Sequence, residues 1–249
     1  MNAKGGATDD DCERGSTAQS VARRLWRIVV MEQMIFDYHD PGIKAMWEAS
    51  GDQRWSGAYY YNEEIIKYFI PTVKTDRHWI LYNNPGCGWP HSIVFIHNNL
   101  YVWAYQWLKD LPDILLICGV PATLEWASEI TDCAYLPISV DTQYVEQFKV
   151  DKKTKDTCYF GRKSKLEALG IDVGDVDFIC GIPREEALPL LAQYENCYCV
   201  GRSAIEAKIL GVNVLPYDPR YPDVDLWQIY DSRDAAKELQ NILDEFEGR

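Results

Sequence analysis

The chain has 249 residues, 47% of them hydrophobic, and a formal net charge of -13 at neutral pH. That much apolar sequence excludes wholesale disorder and suffices for one large domain or two small ones. The acidic balance disfavours nucleic acid as a partner, because the overall field does not attract phosphate backbones.

Residues 1–20 are polar and Gly-rich, with Asp9, Asp10 and Asp11 in a row, and read as a disordered tail. The first strand is Trp26–Met31, WRIVVM. The segment after it carries Glu32, Asp37, His39 and Asp40, which read as a solvated loop ahead of a metal or catalytic cluster. Ile43–Ala49 and Tyr60–Phe69 are helical patterns, and Trp79–Tyr82 is a strand that ends in an Asn-Asn-Pro-Gly turn. Ile93–Ile96 is a strand running into His97. Val102–Leu108 is a helix, Ile114–Cys118 a buried strand, Ala122–Ile130 a helix entered through Pro121, and Ala134–Ile138 a further strand.

The charged stretch 151–156, DKKTKD, lacks apolar anchors and reads as a linker. Beyond it the expected order is strand Thr157–Phe160, helix Ser164–Leu169, strand Val176–Cys180, helix Glu185–Tyr194 and strand Asn196–Val200. Gly201-Arg202-Ser203 is then a tight turn, with Ser203 as N-cap of a helix Ala204–Leu210. Gly211 ends that helix as a left-handed residue, and Val212–Pro216 is the next strand. Ser232 caps a last helix, Arg233–Phe246, whose apolar face is Ala236, Leu239, Ile242 and Leu243. The alternation predicts an α/β fold of two Rossmann-like, parallel-sheet halves facing a cleft, the first over 21–149 and the second over 150–249.

A glycine turn between a strand and a helix offers free N–H groups and a positive dipole end, which suit a phosphate. Three segments then occur in order: Leu136–Val145 (LPISVDTQYV), Cys158–Lys165 (CYFGRKSK), and the strand, Gly201-x-Ser203, Ile205-Glu206-Ala207, Gly211 series. Together they resemble the donor-binding half of GT-B glycosyltransferases, in reduced form. The resemblance covers about residues 113–218. It implies a nucleotide-sugar donor, an acceptor of unspecified identity bound by the first half, and no metal or other cofactor. It also implies a donor site of Arg162, Lys163, Lys165, Gly201, Arg202, Ser203 and Glu206. Arg162 with Lys163 or Lys165 would grip phosphates, the 201–204 N–H groups would face the diphosphate, and Glu206 would hold the ribose. His97 would be the catalytic residue facing sugar or acceptor, although a lone His after a strand is otherwise a structural hydrogen-bonder.

The sequence departs from that family in named places. Tyr198 stands eight positions before Glu206, where retaining members carry a second Glu. The interval from Gly161 to Glu206 is short by about one β-α unit. Two alternatives follow: a non-catalytic nucleotide-binding protein on the same scaffold, or an epimerase or hydrolase of nucleotide sugars.

Eight cysteines stand at 12, 87, 118, 133, 158, 180, 197 and 199. None forms a Cys-x2-Cys pair, which argues against a zinc knuckle. No signal peptide is visible and no apolar run reaches the roughly 18 residues of a membrane span. The expected setting is therefore a reducing cytoplasm. Nine Trp and sixteen Tyr suit core and interface packing or, on the sharper reading, sugar stacking.

Overall fold

The computed structural model describes residues 57–80, 90–96 and 108–248. The expected tail, the strand at 26–31, the loop at 32–40, the helix at 43–49, most of the helix at 102–108 and His97 lie outside them.

Helix α1, Gly57–Glu64, runs directly into a π-helical turn, Ile65–Phe69, closed by Ile70 N–H donating to Ile65 O at 3.1 Å. Four strands follow: β1 His78–Ile80, β2 Ser92–Ile96, β3 Ile114–Cys118 and β4 Cys133–Tyr135, with helix α2 Pro121–Ala127 before β4. They form one parallel sheet in the order β1-β2-β3-β4. All five residues of β2 and of β3 are buried, as expected of central parallel strands covered on both faces. Their alternation divides the core. Leu115 and Ile117 face the main cluster, while Ile114, Leu116 and Cys118 face a smaller one with Leu108 and Ala127.

A short helix that the sequence reading did not anticipate, α3 Thr142–Glu146, leads to the second sheet. Asp141 caps it by accepting from Tyr144 N–H. Then come β5 Lys155–Phe160, α4 Lys163–Leu169, β6 Asp177–Ile179, α5 Arg184–Leu191, β7 Tyr194–Tyr198, α6 Arg202–Ile209 and β8 Asn213–Leu215. This sheet is also parallel, in the order β6-β5-β7-β8. The molecule is thus α/β with two four-stranded parallel sheets among its described residues. The stretch expected as a free linker is tied down: Lys153 Nζ donates to Ala192 O at 2.8 Å and Leu210 O at 2.7 Å, and Lys155 and Asp156 belong to β5.

The last helix, α7 Ser232–Glu247, buries Ala235, Ala236, Leu239 and Leu243 and packs on the π turn. Its cap is Asp231, which accepts from Arg233 N–H, whereas the sequence pointed to Ser232. Ser232 is fully buried, and its hydroxyl donates to Glu64 instead. The main core draws on both sheets. Phe69 and Phe95 from the first half share it with Cys158, Leu188, Cys197 and Ile205 from the second, and with Leu239 of α7. Tyr61, Phe69 and Phe95 meet edge-on at 6.2 to 6.4 Å within it. No described helix is long and apolar enough to cross a membrane.

Candidate functional site

Strand order locates the crevice. From β5 the chain turns to β6 on one side, and from β7 it turns to β8 on the other. Neighbouring strands whose connections leave in opposite directions open a gap at their carboxyl ends, where ligands of doubly wound sheets bind. Tyr159 pairs with Tyr198 across this gap. The segments leaving it are Gly161-Arg162-Lys163 and Val200-Gly201-Arg202.

Both turns need glycine, for different reasons. Gly161 must be bare because a Cβ there would lie 2.8 Å from the Tyr159 hydroxyl. That hydroxyl donates to Arg162 O at 3.0 Å. Gly201 sits at φ 65°, ψ -139°, a conformation that side chains resist, although a Cβ would meet open space. The sequence pointed to Ser203 as the cap of α6. The cap is Gly201, whose carbonyl accepts from Ala204 N–H at 3.0 Å and Ile205 N–H at 3.2 Å, and Ser203 lies one residue inside the helix. The N–H groups of Arg202 and Ser203 take no acceptor among the described residues. At its other end, Gly211 at φ 70° closes α6 as expected. Gly211 N–H reaches Lys208 O and Val212 N–H reaches Ala207 O, which is the Schellman pattern.

The expected donor residues fall into two groups. Arg162, Lys163 and Lys165 line the β5 side. Arg162 and Lys163 have no ion pair among the described residues, and Lys163 is exposed. Lys165 Nζ is 3.1 Å from Asp218 Oδ2, and burial pulls its ammonium below the usual lysine range. Arg220 clamps the same carboxylate through two nitrogens, at 2.7 and 2.6 Å. Burial pushes Asp218 upward, but the Arg220 hydrogen bonds and the Lys165 charge outweigh it and hold the carboxyl down at about 2.

Arg202 and Glu206 point the other way, into the protein. Arg202 Nε donates to Glu206 Oε1 at 3.1 Å, Nη1 donates to Ser139 O at 3.2 Å, and Nη2 pairs with Glu64 Oε1. Arg184 completes the cluster. Its Nη1 is 2.9 Å from Glu64 Oε1, and its Nε lies 2.8 Å from Glu206 Oε1 with the N–H out of line. Its guanidinium also sits 4.9 Å from the Tyr144 ring centroid. Glu64 Oε2 accepts from Asp141 N–H at 2.7 Å and from Ser232 Oγ at 2.5 Å. Burial alone would raise the Glu64 carboxyl, but Arg202 and Arg184 hold it below the usual range. Two arginines and two glutamates therefore neutralise one another where α1, α5, α6 and α7 meet.

The structure thus brings Arg162, Lys163, Lys165 and the Gly201–Ser203 backbone to the same end of the same sheet. It keeps the side chains of Arg202 and Glu206 beneath that surface. Asp218, Arg220, Tyr159 and Glu64 were not singled out in the sequence. The Asp218-x-Arg220 pair directly after a strand was a local signal for two of them, whereas Glu64 had none. Among the described residues no cluster of His, Cys, Asp or Glu has the makings of a metal site. No protein-family model matches the chain, and no curated protein sequence matches it.

Proposed function

We propose that the chain binds the diphosphate of a nucleotide sugar in the β5–β7 crevice and acts as a GT-B-like glycosyltransferase. One observation carries the reading. Two glycine turns leave adjacent parallel strands in opposite directions, and at one edge they offer two N–H groups without an acceptor and two cations, Arg162 and Lys163, without an ion pair among the described residues. Breaking a glycosidic bond to a nucleoside diphosphate develops negative charge on the leaving phosphates. Fixed cations and N–H dipoles aimed at that charge lower the barrier. Arg162 suits bidentate contact and Lys163 acts as a mobile point charge. This arrangement calls for no metal.

In this account Arg202 contributes its backbone N–H, and Glu206 is a positioning residue that holds the α6 side chains in place. A ribose contact from Glu206 would have to use Oε2, because both of its arginine contacts are made by Oε1. Isothermal titration with UDP, GDP and ADP tests the reading. It requires binding of at least one of them, lowered severalfold or more by Arg162→Ala; no binding of any would remove the basis for transfer.

A second reading, nucleotide binding without turnover, is favoured by Tyr198 at the position of the missing glutamate and by the internal commitment of Arg202 and Glu206. Product analysis with the nucleotide sugars of whichever base binds separates the two. Release or transfer of sugar supports the enzyme, and an unchanged donor supports the binding protein.

A further inference from the structure

The two faces of the second sheet are covered differently. Cys158, Cys197 and Val214 point into the main core. On the opposite face, Phe178 of β6, Tyr159 of β5 and Tyr198 of β7 share one register row. Tyr159 is fully buried, but Phe178 at its side is 43% exposed. The Tyr159 ring lies 5.5 Å from Phe178 and 5.4 Å from Tyr217. A half-open aromatic ring therefore continues a packed aromatic row at the carboxyl end of the sheet.

Cations gather on the same row. Lys163 Nζ is 5.9 Å from the Phe178 centroid, and Lys165 Nζ is 5.6 Å from that of Tyr217. Asp218 is shared by Lys165 and Arg220, and Arg162 and Lys163 have no ion-pair partner among the described residues. Tyr135, exposed to a similar degree, has no cation over its ring among the described residues. In a chain of net charge -13, a cationic excess beside an open ring fits a ligand that is both planar and anionic. An apolar protein surface would be a poor match, since it would strip water from those cations without pairing them. Phe178 is one strand from β5, a spacing of about 5 Å, so its ring is within a nucleoside's length of the crevice.

We infer that Phe178 is the platform on which the base of the bound nucleotide stacks, with the phosphates running back past Lys163 and Arg162 to the Gly201 turn. The inference rests on the nucleotide-binding reading and adds a direction to it: base over β6, diphosphate between β5 and β7. Stacking tolerates any base, since each has a π face, so Phe178 supplies affinity and leaves the choice of base to other contacts.

The test is titration of the full chain and of Phe178→Ala and Phe178→Trp with UDP, GDP and ADP, with circular dichroism confirming the fold of each variant. The account expects about tenfold or greater loss of affinity in Phe178→Ala and recovery in Phe178→Trp. Wild-type affinity in Phe178→Ala overturns the stacking role and leaves nucleotide binding standing. Loss in both variants also overturns it, because an aromatic ring then fails to rescue. No binding by the wild-type chain overturns the stacking role and the underlying reading together.

Discussion

Glu64 joins more of the molecule than any other side chain described here. Its two oxygens receive Arg184, Arg202, the Asp141 N–H and the Ser232 hydroxyl, from four separate parts of the chain. Removing the carboxylate leaves two buried guanidinium groups with only Glu206 between them. Breaking a buried pair in this way costs about 3–5 kcal/mol. Urea denaturation of Glu64→Ala should show a loss of that size. A loss under 1 kcal/mol would mean that the cluster relaxes or takes in water. Asp218 gives a pH signature at the same scale. Its folded pKa of about 2 lies below the ordinary 3.8, so its contribution to stability is complete above pH 4 and is lost as pH falls through 2. Asp218→Asn should flatten the acid limb of stability in that window; an unchanged limb would place the acid sensitivity elsewhere.

The decisive element is the junction of β7, Gly201 and α6. Gly201 holds a conformation that costs other residues roughly 1–3 kcal/mol. Gly201→Ala should therefore destabilise the fold by about that amount in chemical denaturation and weaken nucleotide binding as the turn shifts. Stability equal to wild type would show that the turn adapts freely. Much of this junction was legible in the sequence. The order of strand, glycine turn, helix and left-handed Gly211 followed from local residue chemistry. What was misread had physical causes. Ser203 is a good cap by type, but the positive φ of Gly201 starts the helix two residues earlier. Strand β7 begins at Tyr194, not Asn196: Tyr194 pairs in register with Lys155 of β5, and its hydroxyl is held by Lys155 at 2.9 Å and by Asp177 of β6, one strand further on, at 2.6 Å. Helical periodicity carries no trace of such cross-strand partners. Glu64 was hidden for the same reason: its partners lie 77 to 168 positions away, and a single Glu in an acidic chain has no local mark.

At the scale of the whole molecule, one core serves both sheets. Phe69 and Phe95 share it with Leu188, Ile205 and Leu239, and the Glu64 cluster lies alongside. The described halves should therefore unfold together. Far-UV circular dichroism and tryptophan fluorescence should report one coincident urea transition, and two separated transitions would contradict a shared core. The parallel sheets themselves were legible in the alternation of apolar strands and amphipathic helices. The strand order was not, because nothing local tells β5 to pair with both β6 and β7. That order creates the crevice on which the functional account depends. The most direct measurement is a crystal structure with the tightest-binding nucleoside diphosphate present. The account predicts the diphosphate between the ends of β5 and β7, within hydrogen-bonding distance of the Arg202 and Ser203 N–H groups and of the Arg162 guanidinium. A diphosphate bound elsewhere, with that crevice holding only solvent, would contradict it.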